Sequence, residues 1–490
     1  MTSSNLGIRN FVDFKEYALW YLHDVGLNIP ELLNQEYKVV LAPTDGDLVE
    51  FGDFAGRPRF RGPEDLPKGE WNGRTYLEIL ANLGNIQGDT EFGSNELQVG
   101  LWDSAPSDYD RKILLSVIAE EFRHGWQMGY FETEVLRCDE GRSAAQSLLE
   151  RRASQEGNER LLGAFNQQIT DWLGMYCFLE FMDRDGGSQL TLLQHSAMND
   201  LARSMVFMLR EERKHLSSGF QGLERILTAG KVPVDVIQRY VNLYAPLGYD
   251  LHGGERSTNA LIYYRLGLKG FYPDRRNYLD LPPDSVIDAQ LLSDLRMREK
   301  NPLTYSYQFV NLGLEGPTRE INKELLNSIT VTFYKRTLED HFRQFNEIIR
   351  RTYPAGTPEL VVPSLRFHRA EPSIYARERF DIHGNPISSE AEFRAYVTAN
   401  LPTPADRALM KAFSAEKDRM SLPSVDIYQR MTVTKPTDEV LHQTVFGTVR
   451  RSSFTSSLSQ QAHSTSAMSP STPEVADERP LWQFMDEEAS

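Results

Sequence analysis

From Tyr76 onward the apolar positions fall three and four residues apart, and long stretches between about residues 75 and 230 keep that period. The pattern predicts amphipathic helices packed as a bundle. Punctuation divides the stretch into four. The segment Trp102-Asp-Ser-Ala-Pro106-Ser-Asp reads as a stop followed by a helix start. The polar run from Cys138 to Glu156, with Gly141 near its start, ends the second helix before a longer connection, and Asp185-Gly186-Gly187 interrupts the third. Further helices are expected at 234–268 and 317–350. Residues 1–70, with DGDLVEFGDFAGRPRFRGPEDLPKG, read as loops or at most a short hairpin, and residues 353–445 as a less regular region. The Ser/Thr/Pro/Gln-rich tail from about 451 is expected to be disordered, having little to bury.

Two Glu-x-x-His motifs stand out, Glu121-Phe-Arg-His124 and Glu212-Arg-Lys-His215. Residues three apart on a helix are neighbours, so one carboxylate and one imidazole can converge on a single ion. Each motif lies on an apolar stripe: Leu114, Ile118, Glu121, Gly125 and Met128 in one helix, Leu201, Met205, Met208, Glu212 and His215 in the other. An ionised Glu on a core-facing stripe is costly unless it is paired or binds a metal. The preceding acids, Glu120 and Glu211, are turned ~100° away, toward solvent or toward a supporting position behind the ligands.

A bundle site with two such motifs needs one more carboxylate from each of the other two helices. Glu91 lies on the stripe Leu77, Leu80, Gly84, Gln87, Glu91; Asp183 lies on Trp172, Tyr176, Leu179, Asp183, with Asp185 a rival. Carboxylate precedes motif by 30 residues in the first pair and 29 in the second. Gln87, one turn from Glu91, is a packing amide or a group reaching substrate. Tyr176 reads as a core aromatic.

Composition narrows the chemistry. With 490 residues, 40% hydrophobic and 25% charged, the chain can bury a large core. Two cysteines, Cys138 and Cys177, exclude a disulfide framework or a thiolate metal site, so any metal takes nitrogen and oxygen ligands. A net charge of -16 disfavours nucleic acid. No apolar run has membrane length, and the amino terminus lacks a secretory pattern, so a cytoplasmic address is expected. Imidazole with several carboxylates suits iron or manganese. Four carboxylates offset two divalent ions, and a pair of iron ions with dioxygen as co-substrate is the best fit.

The chain also resembles the oxygenase component of benzoyl-CoA 2,3-epoxidase. The similar segments include Gln87-Gly-Asp-Thr-Glu91, Glu120-Glu-Phe-Arg-His124-Gly-Trp126 and Asp171-Trp-Leu173 to Asp183-Arg-Asp-Gly186. They continue through Leu201-Ala-Arg203 and Glu211-Glu-Arg-Lys-His215, with later echoes at Tyr263-Tyr264 and Leu401-Pro-Thr403. The resemblance implies an all-α, ferritin-like four-helix bundle over 71–235, additional helices over 236–350, an irregular C-terminal region over 351–450 and a tail over 451–490. It places di-iron ligands on Glu91, Glu121, His124, Asp183, Glu212 and His215, choosing Asp183 over Asp185. It implies epoxidation of an aryl-CoA thioester, with electrons from NADPH through a separate reductase carrying FAD and an iron-sulfur cluster. Residues such as Phe92, Gly93 and Phe122 depart from the pattern, which leaves the aryl group open. A different aryl thioester, an aryl amine or a non-catalytic iron protein are the alternatives. Arg256, Lys269, Arg275 and Arg276 could meet CoA phosphates but read first as solvated surface.

Overall fold

The computed structural model describes residues 6–28, 35–37, 39–43, 48–66, 73–255, 257, 259–270, 285–298, 304–307, 319–322, 325–367, 370, 373–416, 420 and 446–448. The tail from 451, Arg256, Arg275 and Arg276 lie outside these residues. The fold is all-α. In chain order the helices that frame the site are α1 (Phe11–Asp24), α2 (Gly73–Gln98), α3 (Asp108–Tyr130), α4 (Asp139–Glu150), α5 (Trp172–Cys177), α6 (Asp183–Leu193) and α7 (Asn199–Ala229). After them come α8 (Val234–Leu251), α9 (Asn259–Arg265), α10 (Ala289–Arg298), α11 (Leu325–Thr352), α12 (Glu390–Asn400) and α13 (Pro404–Ala415).

Four of these units form an antiparallel bundle: α2, α3, the α5–α6 unit and α7. Along α2 and α3, Gly84 faces Glu132, Gly88 faces Met128, and Glu91 lies opposite His124, so residue numbers fall on one helix as they rise on the other. Asp183 opposite His215 and Tyr176 against Gly222 show the same for α5–α6 and α7. Helices α3 and α7 also run antiparallel, from Asp110–Arg225 through Glu120–His215 to Tyr130–Asp200. Ser107 caps α3 by accepting the Asp110 N–H, and α7 ends at Gly230, whose φ of 63° the absent side chain makes easy.

Two π turns interrupt the bundle. Phe131–Val135 extends α3, and Phe178–Met182 joins α5 to α6 directly before Asp183. A π turn inserts a residue and resets the helical phase, and such turns often sit beside functional side chains. Helix α7 packs hard on the second one: a Cβ on Gly219 would come within 2.5 Å of the Glu180 backbone nitrogen.

Several elements differ from the sequence reading. Residues 11–24 form α1 rather than loop, because Phe14, Ala18, Tyr21 and Leu22 make a helical apolar face that packs on Phe92 and Trp126. The Gly/Pro-rich signal belongs to the later segment, where an isolated Leu48↔Pro58 bridge closes a tight turn. Within Cys138–Glu156 the structure builds α4, whose narrow stripe of Ala144, Ala145, Leu148 and Leu149 is outnumbered by polar residues. Gly186 and Gly187 do not break the third bundle element; α6 continues to Leu193, and Gly187 packs near Leu216 of α7. The helix expected over 234–268 divides at Gly253 (φ 85°) into α8 and α9. The one expected over 317–350 begins at Leu325, while Arg319–Asn322 pairs antiparallel with Thr304–Tyr307. A second short ribbon pairs Gln35–Tyr37 with Phe446–Thr448. The C-terminal region contains α12 and α13, the latter opened by a Thr403/Asp406 capping box. No described helix is long and apolar enough to cross a membrane.

Glu132, on the first π turn, is fully buried, and neither carboxylate oxygen has a hydrogen-bond partner. Burial, with the Asp89 charge, pushes its carboxyl well above the usual range. The folded chain therefore holds a proton that the unfolded chain has released above its ordinary pKa, so this residue costs stability as pH rises from about 4.5. Glu132→Gln is expected to raise Tm by roughly 2–4 °C at pH 8, with the gain shrinking toward pH 5. Thermal unfolding at the two pH values checks this, and an equal effect at both would contradict it.

Candidate metal centre

The structure brings together all six side chains singled out in the sequence. Glu91, Glu121, Asp183 and Glu212 are 3–8% exposed, and His124 and His215 are fully buried. Their potential ligand atoms fall into two groups: Glu91, Glu121, His124 and Glu212, and Glu121, Asp183, Glu212 and His215. Within each, the atoms lie within 4.8 Å of one another. Glu121 and Glu212 belong to both. Asp185, the rival, turns away to accept from Gln189 Nε2 at 2.7 Å and to pair with His252 at 2.9 Å.

Each histidine presents Nδ1 to the cluster. His124 Nδ1 lies 3.4 Å from both Glu91 Oε2 and Glu212 Oε1. His215 Nδ1 lies 3.1 Å from Glu121 Oε1, 3.4 Å from Glu212 Oε2 and 3.6 Å from Asp183 Oδ2. The opposite nitrogens are held across the bundle: His124 Nε2 lies 2.9 Å from Glu211 Oε2, and His215 Nε2 lies 2.9 Å from Glu120 Oε2. Arg123 pairs with Glu211 and Lys214 with Glu120. The sequence Glu-Glu-x-(Arg/Lys)-His thus occurs twice, and each copy supplies the outer carboxylate and the cation that serve the other copy. Glu120 and Glu211 take the supporting position rather than the solvent-facing one. Glu120 is buried outright, which the ~100° rotation alone did not indicate.

The four buried carboxylates shift one another's protonation. Burial and the Glu91 charge push the Glu121 carboxyl well above its usual range; burial and the Glu212 charge do the same for Asp183. Glu212 goes the other way, to about 2, because the His215 and His124 contacts outweigh its burial. His215 is raised despite its burial, chiefly by Glu212.

The residues fit a pair of divalent cations. Nδ1 of both histidines, Asp183 Oδ2 and Glu212 Oε2 are buried without hydrogen-bond partners, so four potential ligand atoms point inward unsatisfied. Four carboxylates match two dications in charge, and oxygen plus imidazole suits iron or manganese. A metal-binding histidine usually donates the proton of its far nitrogen to a carboxylate, and that bond fixes its tautomer.

Around the centre, Gln87 Nε2 donates to Glu91 Oε1 at 2.7 Å, so its amide is committed at least in part to orienting that carboxylate. Tyr176 is buried, and its hydroxyl bonds Asp110 at 2.8 Å, a structural role. Lys269 is partly buried rather than solvated, and burial lowers its pKa. Sequence reading missed the reciprocity of the supporting carboxylates, although the doubled Glu-Glu was its visible trace.

An antiparallel bundle with carboxylates from two elements and a Glu-x-x-His from each of the others is the arrangement of dinuclear carboxylate proteins. Among characterised proteins, the chain is similar to benzoyl-CoA oxygenase component B of Aromatoleum evansii, at 36% identity over 258 residues. The match covers 49% of this chain and 52% of that protein, so the chain spans about half the length of its curated relative. No protein-family model matches.

Metal uptake competes with protons for Glu121 and Asp183, whose carboxyls are pushed above their usual range, so affinity is expected to rise with pH, and each ferrous ion taken up should release protons. Calorimetric titration in two buffers of different ionisation enthalpy reads that release; buffer-independent heats would contradict it. Glu120→Gln and Glu211→Gln are each expected to weaken metal binding by roughly 10–100-fold while the helical circular dichroism stays unchanged. Equilibrium dialysis measures the loss.

Proposed function

We propose that the chain is the oxygen-activating component of a di-iron monooxygenase that epoxidises the aromatic ring of an aryl-CoA thioester. The leading reaction converts benzoyl-CoA to 2,3-epoxy-2,3-dihydrobenzoyl-CoA. The observation that carries this reading is the pair of overlapping ligand groups sharing Glu121 and Glu212. The name of the 36%-identical relative supports the choice of oxygenase chemistry and of substrate.

In this reading Glu91 and His124 would hold one ion and Asp183 and His215 the other, with Glu121 and Glu212, which belong to both groups, available to each. When bound, the iron pair supplies the electrons with which dioxygen is reduced, one oxygen atom going to the ring and the other leaving as water. NADPH replaces those electrons through a separate FAD and iron-sulfur reductase, so the aryl thioester, O2, NADPH and a proton give epoxide, NADP+ and water. The chain contributes placement and proton control. Glu120 and Glu211 accept the Nε2–H of His215 and His124, which leaves each Nδ1 lone pair free for metal. Lys214 holds the buried Glu120 carboxyl below its usual range, and Arg123 pairs with the partly exposed Glu211. Gln87 steadies Glu91 and is the nearest candidate on α2 for a substrate contact. Buried Leu179, Met205 and Met208 on the metal-bearing helices limit access of bulk water.

Iron-loaded protein is expected to carry about two iron ions per chain by elemental analysis. With a suitable reductase, NADPH and benzoyl-CoA under 18O2, mass spectrometry should find one labelled oxygen in the thioester. NADPH loss without an oxygenated thioester would overturn the stated substrate, and protein that retains no metal would overturn the centre itself.

A further inference from the structure

At the start of α7, some 12 residues before Glu212, a cleft of about 560 Å³ opens toward solvent. Three arginines line it: Arg59, Arg61 and Arg203. Its construction follows from local pairing. The buried Phe60 receives the Asn199 N–H on its carbonyl and donates its own N–H to Ala197 O, both at 2.8 Å, which fixes residues 59–61 alongside the helix start. Side chains alternate along an extended segment, so Arg59 and Arg61 both turn away from the face that Phe60 buries. Arg203, one turn into α7, is anchored by its Nε–H on Ala42 O at 2.6 Å.

The charge balance in the cleft favours an anion. Asp200 is the acid in its lining, 3.6 Å from Arg203 and also bonded to Asn199 and Tyr130. Glu50, bonded to Arg59 at 2.8 Å, also pairs with His195. Against these two acids stand three guanidinium groups, an excess of one positive charge in a chain of net charge -16. The start of α7 is held by the Phe60 carbonyl, which accepts the Asn199 N–H, and by Asp200 in its first turn. Planar guanidinium forks match phosphate oxygens in geometry as well as charge.

Position supplies the rest. Twelve residues of helix place Asp200 roughly 18 Å along α7 from Glu212, which is about the reach of a phosphopantetheine arm. We propose that this cleft binds the phosphate-bearing nucleotide end of the acyl-CoA substrate, with α7 as the ruler that sets the thioester beside the metal cluster. The proposal rests on the aryl-CoA reading above. It makes Arg61, exposed at the cleft, a binding residue with no part in the chemistry.

The test is calorimetric titration of the full-length, iron-loaded protein with CoA, adenosine 3′,5′-bisphosphate and pantetheine. Arg61→Glu should weaken binding of CoA and of the bisphosphate tenfold or more. Pantetheine, which lacks phosphate, should bind wild type and variant alike. Arg394→Glu, exposed on α12 and outside the cleft lining, controls for overall charge and should leave all three unchanged. If wild type binds CoA and Arg61→Glu binds it equally well, the cleft assignment is overturned and the aryl-CoA reading survives. If wild type binds neither CoA nor benzoyl-CoA, both fall.

Discussion

Four carboxylates within a few ångströms of one another repel, and in a bundle interior water cannot screen that repulsion. Everything around the centre of this protein answers that constraint. Burial and mutual repulsion push the Glu121 and Asp183 carboxyls above their usual range, and Glu212 raises the His215 imidazole; two dications would relieve the repulsion more completely. Around the inner acids a further pair, Glu120 and Glu211, is balanced by Lys214 and Arg123. Charge alternates outward from the centre in shells, and each shell is contributed by both copies of the repeated Glu-Glu-x-(Arg/Lys)-His segment.

Helix α7 is the element through which these demands are met together. It carries Glu211, Glu212, Lys214 and His215 to the centre, and Gly219 lets its backbone close on the π turn before Asp183. Further along, Arg225 binds Asp110 of α3 through two hydrogen bonds, at 2.6 and 3.0 Å, tying the far end of the same pair. The outer face of α7 receives α11, where Phe220 stacks on Phe345 at 4.9 Å. The additional helices thus brace the helix that holds Glu212 and His215, two of the six candidate ligands.

Much of this was legible in the sequence because helices of this kind announce themselves locally. The three-four spacing of apolar residues placed α2, α3 and α7, and polar residues that fell on those stripes were conspicuous because an apolar interior tolerates them only with compensation. Glu91, Glu121, His124, Glu212 and His215 could be named on that basis. Asp183 could be nominated but not separated from Asp185 by pattern alone, since the π turn at Phe178–Met182 shifts the helical phase just before both. Helices α1 and α4 were less visible. One precedes a Gly/Pro-rich segment that coloured the whole N-terminal reading, and the other has an apolar stripe made half of alanine.

The sequence by itself determined the helical class, the bundle and five of the six converging side chains, with Asp183 nominated beside Asp185, because periodicity and side-chain chemistry are properties of short segments. Tertiary structure alone decided which nitrogen of each histidine faces inward, which acid supports which imidazole, that helix continues through Gly186-Gly187, and that three arginines from two distant segments meet in one cleft. Those outcomes depend on contacts between residues far apart in the chain, such as Arg203 with Ala42, 161 positions away. No local pattern carries them, because their energy comes from burying groups against partners that only the assembled bundle brings near.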